Sequence, residues 1–488
     1  MKKYKLELTV FFSGALTMML ELIAARILSP YVGSSNLIWT TIIGIMLTSM
    51  SVGYWLGGKI ADKNKENDIN VLSSYLLISA IATSFIPILE TNFIEVLSQY
   101  LDNLVIVAII CATVTFGIPS FLLATVSPIA VKIKNNSMDY IGATSGKISS
   151  LSTIGSIVGT FLAGFILIPN LGVKNIIFGC SILLWILSVY LFNKKDKKYY
   201  IFAIIELVVI IALNLLGGYY FKGAHPEIIK DVDSEYSRIW VRQAQAGETT
   251  YKTLQVDTGI ESYINQETGE MGARYLYYYD LFEYYHKEAK DALMIGGAAY
   301  TYPMHYLKKY NDKTIDVVEI DETMTEIAED EFGLDKENPN LGLITQDGRS
   351  YLNYSNKKYD TIFIDAFKGM NAPFELTTYE AMKKAYDLLN ENGTVITNIV
   401  SPLEGEDAEF IQYEYSTYKA VFDDVKVFKV NGDRDNSERQ NIILIGFKGN
   451  TNMNEEKAEE YRDLLNSEIT DFTSDRPIVT DDYAPIGD

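Results

Sequence analysis

Cysteine and histidine are scarce in this 488-residue chain, with two of the first and three of the second. Cys111 and Cys180 both lie inside apolar runs and show no metal-ligand spacing, which gives no disulfide framework and no cysteine metal site. His225, His286 and His305 are too scattered to ligate zinc. Basic residues are short in one half only. Residues 1–222 hold 16 Lys and Arg against 11 Asp and Glu, a net of +5, while the remainder holds 26 against 52, a net of −26. So acidic a half argues against nucleic acid, whose phosphates need Lys and Arg. It suits a cationic ligand, because a cleft of one sign concentrates ligands of the other. A cleavable secretory signal is also not expected, since the run after the basic Met1 to Lys5 is long enough to span and has no small-residue cleavage site.

What the first 222 residues do have is apolar length. Seven segments, near 6–29, 37–58, 70–89, 104–131, 149–169, 173–192 and 200–220, approach the ~20 residues that cross a hydrocarbon core. A lipid bilayer is the expected partner. Lysines mark alternate connections: Lys2, Lys3 and Lys5, then Lys59, Lys63 and Lys65, then Lys132, Lys134 and Lys147, then Lys194 to Lys198. The positive-inside rule puts these loops on the cytoplasmic side of a cell membrane. Either all seven segments cross and the soluble domain faces out, or one segment does not fully span and the domain faces in. Glu21 and Arg26 lie inside the first segment, where ionisable groups are costly and seek partners on other helices. Gly155 and Gly159 have the spacing of a close helix contact, and Pro119 and Pro128 predict kinks.

After residue 222 the pattern becomes that of a water-soluble α/β domain, which predicts a division into 1–222 and 223–488. Tyr236–Arg242 and Tyr251–Asp257 read as a β-hairpin about Gly247. A helix is expected from about Tyr277 to Glu288. Strands at 291–296, 314–320, 342–346, 359–365 and 393–400 then alternate with helices at 301–310, 322–331 and 377–390, the signature of a parallel, doubly wound sheet. A helix near 406–421 and strands at 424–430 and 440–447 predict a closing antiparallel hairpin, the methyltransferase variant of a Rossmann-like fold. Ligands of such sheets bind beyond the carboxyl ends of the strands. In Ala292-Leu-Met-Ile-Gly-Gly-Ala-Ala-Tyr300, Gly296 and Gly297 end the first of these strands and let backbone approach a ligand. Glu319, in Asp316-Val-Val-Glu-Ile-Asp321, ends the second, where an acid can accept ribose hydroxyls. No complete Gly-x-Gly-x-x-Gly is present, so a nucleoside without a pyrophosphate fits better than a dinucleotide. Asp347 and Gly348, after the third strand, are placed for an adenine amino group. Asp365 ends the fourth, where a carboxylate can take a proton from an attacking amine. The tyrosine-rich stretch Tyr275–Tyr285 is expected to pack beneath the cleft with one or two rings facing substrate, the rest serving core or a homo-oligomer interface.

At these residues the chain resembles the spermidine synthase family, the polyamine aminopropyltransferases, and more closely bacterial proteins that fuse such a domain to a multi-pass membrane region. The resemblance rests on Glu21-Leu-Ile-Ala-Ala-Arg-Ile-Leu-Ser-Pro30, Gly53-Tyr-Trp-Leu-Gly-Gly-Lys-Ile-Ala-Asp62, Ser234-Glu-Tyr-Ser-Arg-Ile239, the strand motifs, Gln346-Asp-Gly-Arg349 and Thr480-Asp-Asp-Tyr-Ala-Pro485. It implies an aminopropyl group passing from decarboxylated S-adenosylmethionine to a small amine, with methylthioadenosine released and no permanently bound cofactor. It also implies that Glu319 holds ribose, Asp347 and Gly348 hold adenine, and Asp365 deprotonates the amine. The family's Tyr-His pair before the first strand corresponds most nearly to Tyr279 and Asp280. The chain departs from the pattern at Ala299 and Lys368, where the family carries Asp, and at Ser237, where it carries Gln. Lys368 disfavours a diamine and could instead pair with the carboxylate of full S-adenosylmethionine. A methyltransferase is therefore the alternative enzyme, and a transporter with a nucleoside-sensing domain the alternative of another class.

Overall fold

The computed structural model describes residues 4–63, 68–101, 103–134, 141–192, 197–366 and 373–485. The chain forms two compact units, Met1–Ile239 and Trp240–Asp488.

Among the described residues, the first unit holds seven helices long and apolar enough to cross a membrane: Lys5–Val32, Asn36–Lys63, Ile69–Tyr100, Leu104–Lys134, Ile141–Leu171, Val173–Leu191 and Tyr199–Ala224. The first is the most enclosed, and it lies against the fifth at the glycines. A Cβ on Gly155 would run into the Phe11 carbonyl, and one on Gly159 into the Ala15 backbone. Only glycine permits that approach of two backbones. The fourth helix carries a π-helical turn at Thr113–Gly117 just ahead of Pro119, where the ring removes a ladder donor. Within the first helix, Arg26 donates to the Glu235 carbonyl, while Glu21 Oε2 has no hydrogen-bond partner among the described residues.

Composition changes at residue 222, yet the first compact unit extends to Ile239. The cause is a run of ion pairs. Arg238 grips the Asp231 carboxylate with two bonds of 2.9 Å and also reaches Glu90 of the third helix. Both Arg238 and Glu90 are buried, so each charge needs the other.

The second unit is built on a seven-stranded sheet in the order β10-β11-β9-β8-β5-β6-β7. Its strands are β5 (Asp291–Ile295), β6 (Thr314–Glu319), β7 (Leu341–Thr345), β8 (Tyr359–Ile364), β9 (Leu389–Ser401), β10 (Asp424–Lys429) and β11 (Gln440–Phe447). Strands β5 to β9 run parallel, and β11 is antiparallel to both β9 and β10. That is the doubly wound, methyltransferase-type sheet with its closing hairpin. Alternation assigns the faces. Phe363, Ile396 and Ile443 enter one core with the tyrosines, and their neighbours Ile362, Val395 and Leu444 enter the other. Ahead of the sheet, β2 (Arg238–Ala246), β3 (Thr249–Val256) and β4 (Gly259–Asn265) are neighbours in that order, within a four-stranded sheet rather than the expected two-stranded hairpin.

The helix expected over 277–288 is a 3₁₀ segment at Arg274–Asp280 followed by one α turn at Leu281–Tyr285. Its rings pack in several directions: Tyr279 on Phe363, Tyr278 on Phe428 and Tyr285 on Phe447. A tight, irregular backbone serves those contacts better than the single face of an α-helix.

Candidate active site

The strand order sets four sequence-predicted groups side by side at one edge of the sheet. Reading across β8, β5, β6 and β7, the strand ends are Asp365, Gly296–Gly297, Glu319 and the turn bearing Asp347.

Gly296 has φ +93, and a Cβ there would strike the Asp365 carbonyl oxygen, so backbone fills the space a side chain would take. The loop that follows wraps the Glu319 carboxylate. Glu319 Oε2 accepts from the N–H groups of Gly297 (2.8 Å) and Ala298 (3.1 Å), and Oε1 accepts from Asp321 N–H at 3.0 Å. A carboxylate offers about four acceptor positions. Three are occupied by backbone, which leaves one on Oε1 for a hydroxyl donor. Burial pushes the Glu319 carboxyl up from its ordinary range, against the pull of those three N–H groups.

Asp347 caps the helix Gly348–Tyr354, accepting from Ser350 N–H at 2.7 Å. A Cβ on Gly348 would press within 2.5 Å of Ile295 Cγ2, at the end of β5. The helix start is thereby drawn against the centre of the sheet.

Asp365 is partly buried. Tyr275 donates its hydroxyl to Oδ2 at 3.0 Å, and Asn398, on β9, donates Nδ2 to Oδ1 at 3.3 Å. Asn441, on β11, donates to Oδ1 of Asn398 at 2.9 Å and so fixes which end of that amide meets Asp365. The hydroxyl of Tyr279 is buried close by, outside hydrogen-bond geometry. Loss of solvent raises the Asp365 carboxyl to about 6, and the phenol and amide donors hold it from going higher. A carboxylate in that range can accept a proton near neutral pH and release it again.

Asp280 faces another way. It accepts from Lys309 at 2.9 Å, His305 at 3.0 Å and Tyr302 at 3.3 Å. Burial opposes its ionisation, but the His305 bond and the Lys309 ammonium outweigh burial and keep its carboxyl below the usual range. The structure does not bring it into contact with Asp365. Lys368 lies outside the described residues. Ser237 is held in a turn by Ser234, whereas Ser262 on β4 accepts the Ala299 N–H at 3.3 Å and so borders the loop after β5.

Tyr275, Asn398 and Asn441 are the site groups that sequence reasoning did not single out. Tyr275 sits in the tyrosine run from which one or two rings were expected to face the cleft. An Asn at position 398, inside the apolar run Val395–Val400, is the available trace of a polar contact on β9.

Residues 280–431 match the spermine/spermidine synthase domain, a span that contains every strand-end group above. Among curated proteins, the chain is 24% identical over 327 residues to a probable polyamine aminopropyl transferase of Bifidobacterium longum, covering 61% of this chain and 70% of that protein. It is 23% identical over 414 residues to polyamine aminopropyltransferase 2 of Aquifex aeolicus, covering 80% and 78%. Among solved structures, a probable spermidine synthase from Corynebacterium glutamicum aligns with a TM-score of 0.44 at 19% identity, over 53% of this chain and 99% of that one.

Proposed function

We propose, on the premise that residues 280–431 belong to the spermine/spermidine synthase domain family, that the chain is a membrane-anchored transferase carrying an aminopropyl group from decarboxylated S-adenosylmethionine to a small amine. The seven apolar helices would anchor it in a bilayer, and residues 223–488 would supply the catalytic part. The observation that carries the reading is the row of strand ends, with Glu319 and Asp365 on either side of the glycine loop after β5.

In this reading Glu319 accepts a ribose hydroxyl on its remaining acceptor position, and the turn of Asp347 and Gly348 receives the adenine. Close backbone at Gly296 and Gly297 admits the nucleoside. Asp365 accepts a proton from the amine as its nitrogen lone pair attacks the aminopropyl carbon bonded to sulfur. The carbon–sulfur bond breaks with its electron pair going to sulfur. The positive charge on sulfur is thereby lost and methylthioadenosine leaves. The ionised Asp365 also attracts both cations before reaction, and the acidic domain favours their approach. Tyr279 lines the amine side of the carboxylate.

Calorimetry on the purified chain tests the donor site. Decarboxylated S-adenosylmethionine is expected to bind more tightly than the full compound, and Glu319→Ala to weaken both. Tighter binding of the full compound would favour methyl transfer, and binding of neither would remove the nucleoside site.

A further inference from the structure

The bundle fixes which pole the chain leaves from. Lys132, near the end of the fourth helix, pairs with Asp62 of the second at 3.8 Å. Lys134 and Lys147 both reach Glu7 of the first helix, Lys147 at 3.7 Å. Lys5 donates to the Tyr190 carbonyl near the end of the sixth helix. The lysine-bearing helix ends thus meet at one pole.

The seventh helix finishes at the opposite pole. His225, just beyond it, bonds Glu95 of the third helix at 2.9 Å. Asp233 accepts from the Val173 N–H at 2.8 Å, and Asp231 from Lys174 at 2.8 Å, both at the start of the sixth helix. Arg238 closes the set on Glu90 and Asp231. The strand Ile228–Asp233 and the start of β2 are therefore tied to the pole away from the lysines. Lys174 and Arg238, which tie them, are each neutralised by an acid. Among the described residues of the bundle, the exposed lysines are Lys59, Lys63, Lys132 and Lys147 at the lysine pole against Lys222 at the other.

Lysine-rich loops remain in the compartment where a membrane protein is made. We infer that the lysine pole is cytoplasmic and that the chain emerges on the non-cytoplasmic face, so that residues 240–488 meet their substrates there. A sulfonium nucleoside carries a fixed charge and does not cross hydrocarbon unaided. If the proposed reaction holds, a carrier-mediated export step must supply its donor. The orientation itself does not depend on that reaction.

The test uses the full chain in intact spheroplasts. Cys111 and Cys180 are buried in the bundle, which makes the unaltered chain a blank for a charged, membrane-impermeant maleimide. Asp433→Cys, in the exposed turn after β10, and Glu248→Cys, in the exposed turn after β2, give two independent reporters. Lys147→Cys reports the lysine pole. Both reporters are expected to label before lysis and Lys147→Cys only after it. Labelling of Lys147→Cys in intact spheroplasts, or protection of both reporters until lysis, would overturn the inference.

Discussion

In the proposed reaction Asp365 is the base, and its surroundings would set the pH at which it works. Asp365→Asn is expected to lower turnover by roughly 10²-fold or more, the range for removal of a general base, with nucleoside affinity largely kept. Equal rates in the two proteins would take Asp365 out of the mechanism. A base must be ionised to act, so turnover should rise with pH through about 6 in the unaltered protein. Tyr275 and Asn398 favour the ionised form. Tyr275→Phe, or Asn441→Leu with its loss of support for Asn398, should therefore move that limb to higher pH. A purely structural role would lower the rate without moving the limb. Asp365, Glu319 and Gly296 were legible in the sequence because each stands at the end of an apolar run, where a doubly wound sheet places its ligands. Asn398 was not, because its meaning depends on Asn441, 43 residues further along. No local pattern announces a pairing across two strands.

At the scale of elements, the glycine turn after β5 leaves no room for a side chain at Gly296. Gly296→Ala adds a Cβ to a backbone at φ +93 and drives it into the Asp365 carbonyl. A loss of about 1–3 kcal/mol is expected from strain at such a position, together with loss of turnover as the base is displaced. Thermal unfolding and a rate assay on one sample check both, and an unchanged melting temperature with full activity would contradict the close approach. The strands were readable because apolar runs of four to eight residues between turn signals have few other uses. The tyrosine run misled a helical reading because its rings pack toward Phe363, Phe428 and Phe447 at once. Ring directions of that kind are set by the assembled sheet rather than by local propensity.

For the whole molecule, the change of composition at residue 222 was plain in the sequence, while the compact unit closes at Ile239 through charges that composition does not pair. Arg238→Ala would leave Glu90 buried without its partner, at a cost of about 3–5 kcal/mol. The detergent-solubilised chain should then melt at a lower temperature, and Glu90→Gln in the same background should recover part of the loss. No change on removing Arg238 would mean that the pair carries no stability. The lysine pattern, the seven helices and the acidic second half each followed from the sequence, because hydropathy and charge are local sums. The measurement that bears most directly on the account is product analysis with the purified full-length chain, decarboxylated S-adenosylmethionine and a panel of small amines. The account predicts methylthioadenosine and an amine lengthened by one aminopropyl group, in equal amounts and lost together in Asp365→Asn. Methylated product from full S-adenosylmethionine, or methylthioadenosine formed with no lengthened amine, would contradict it.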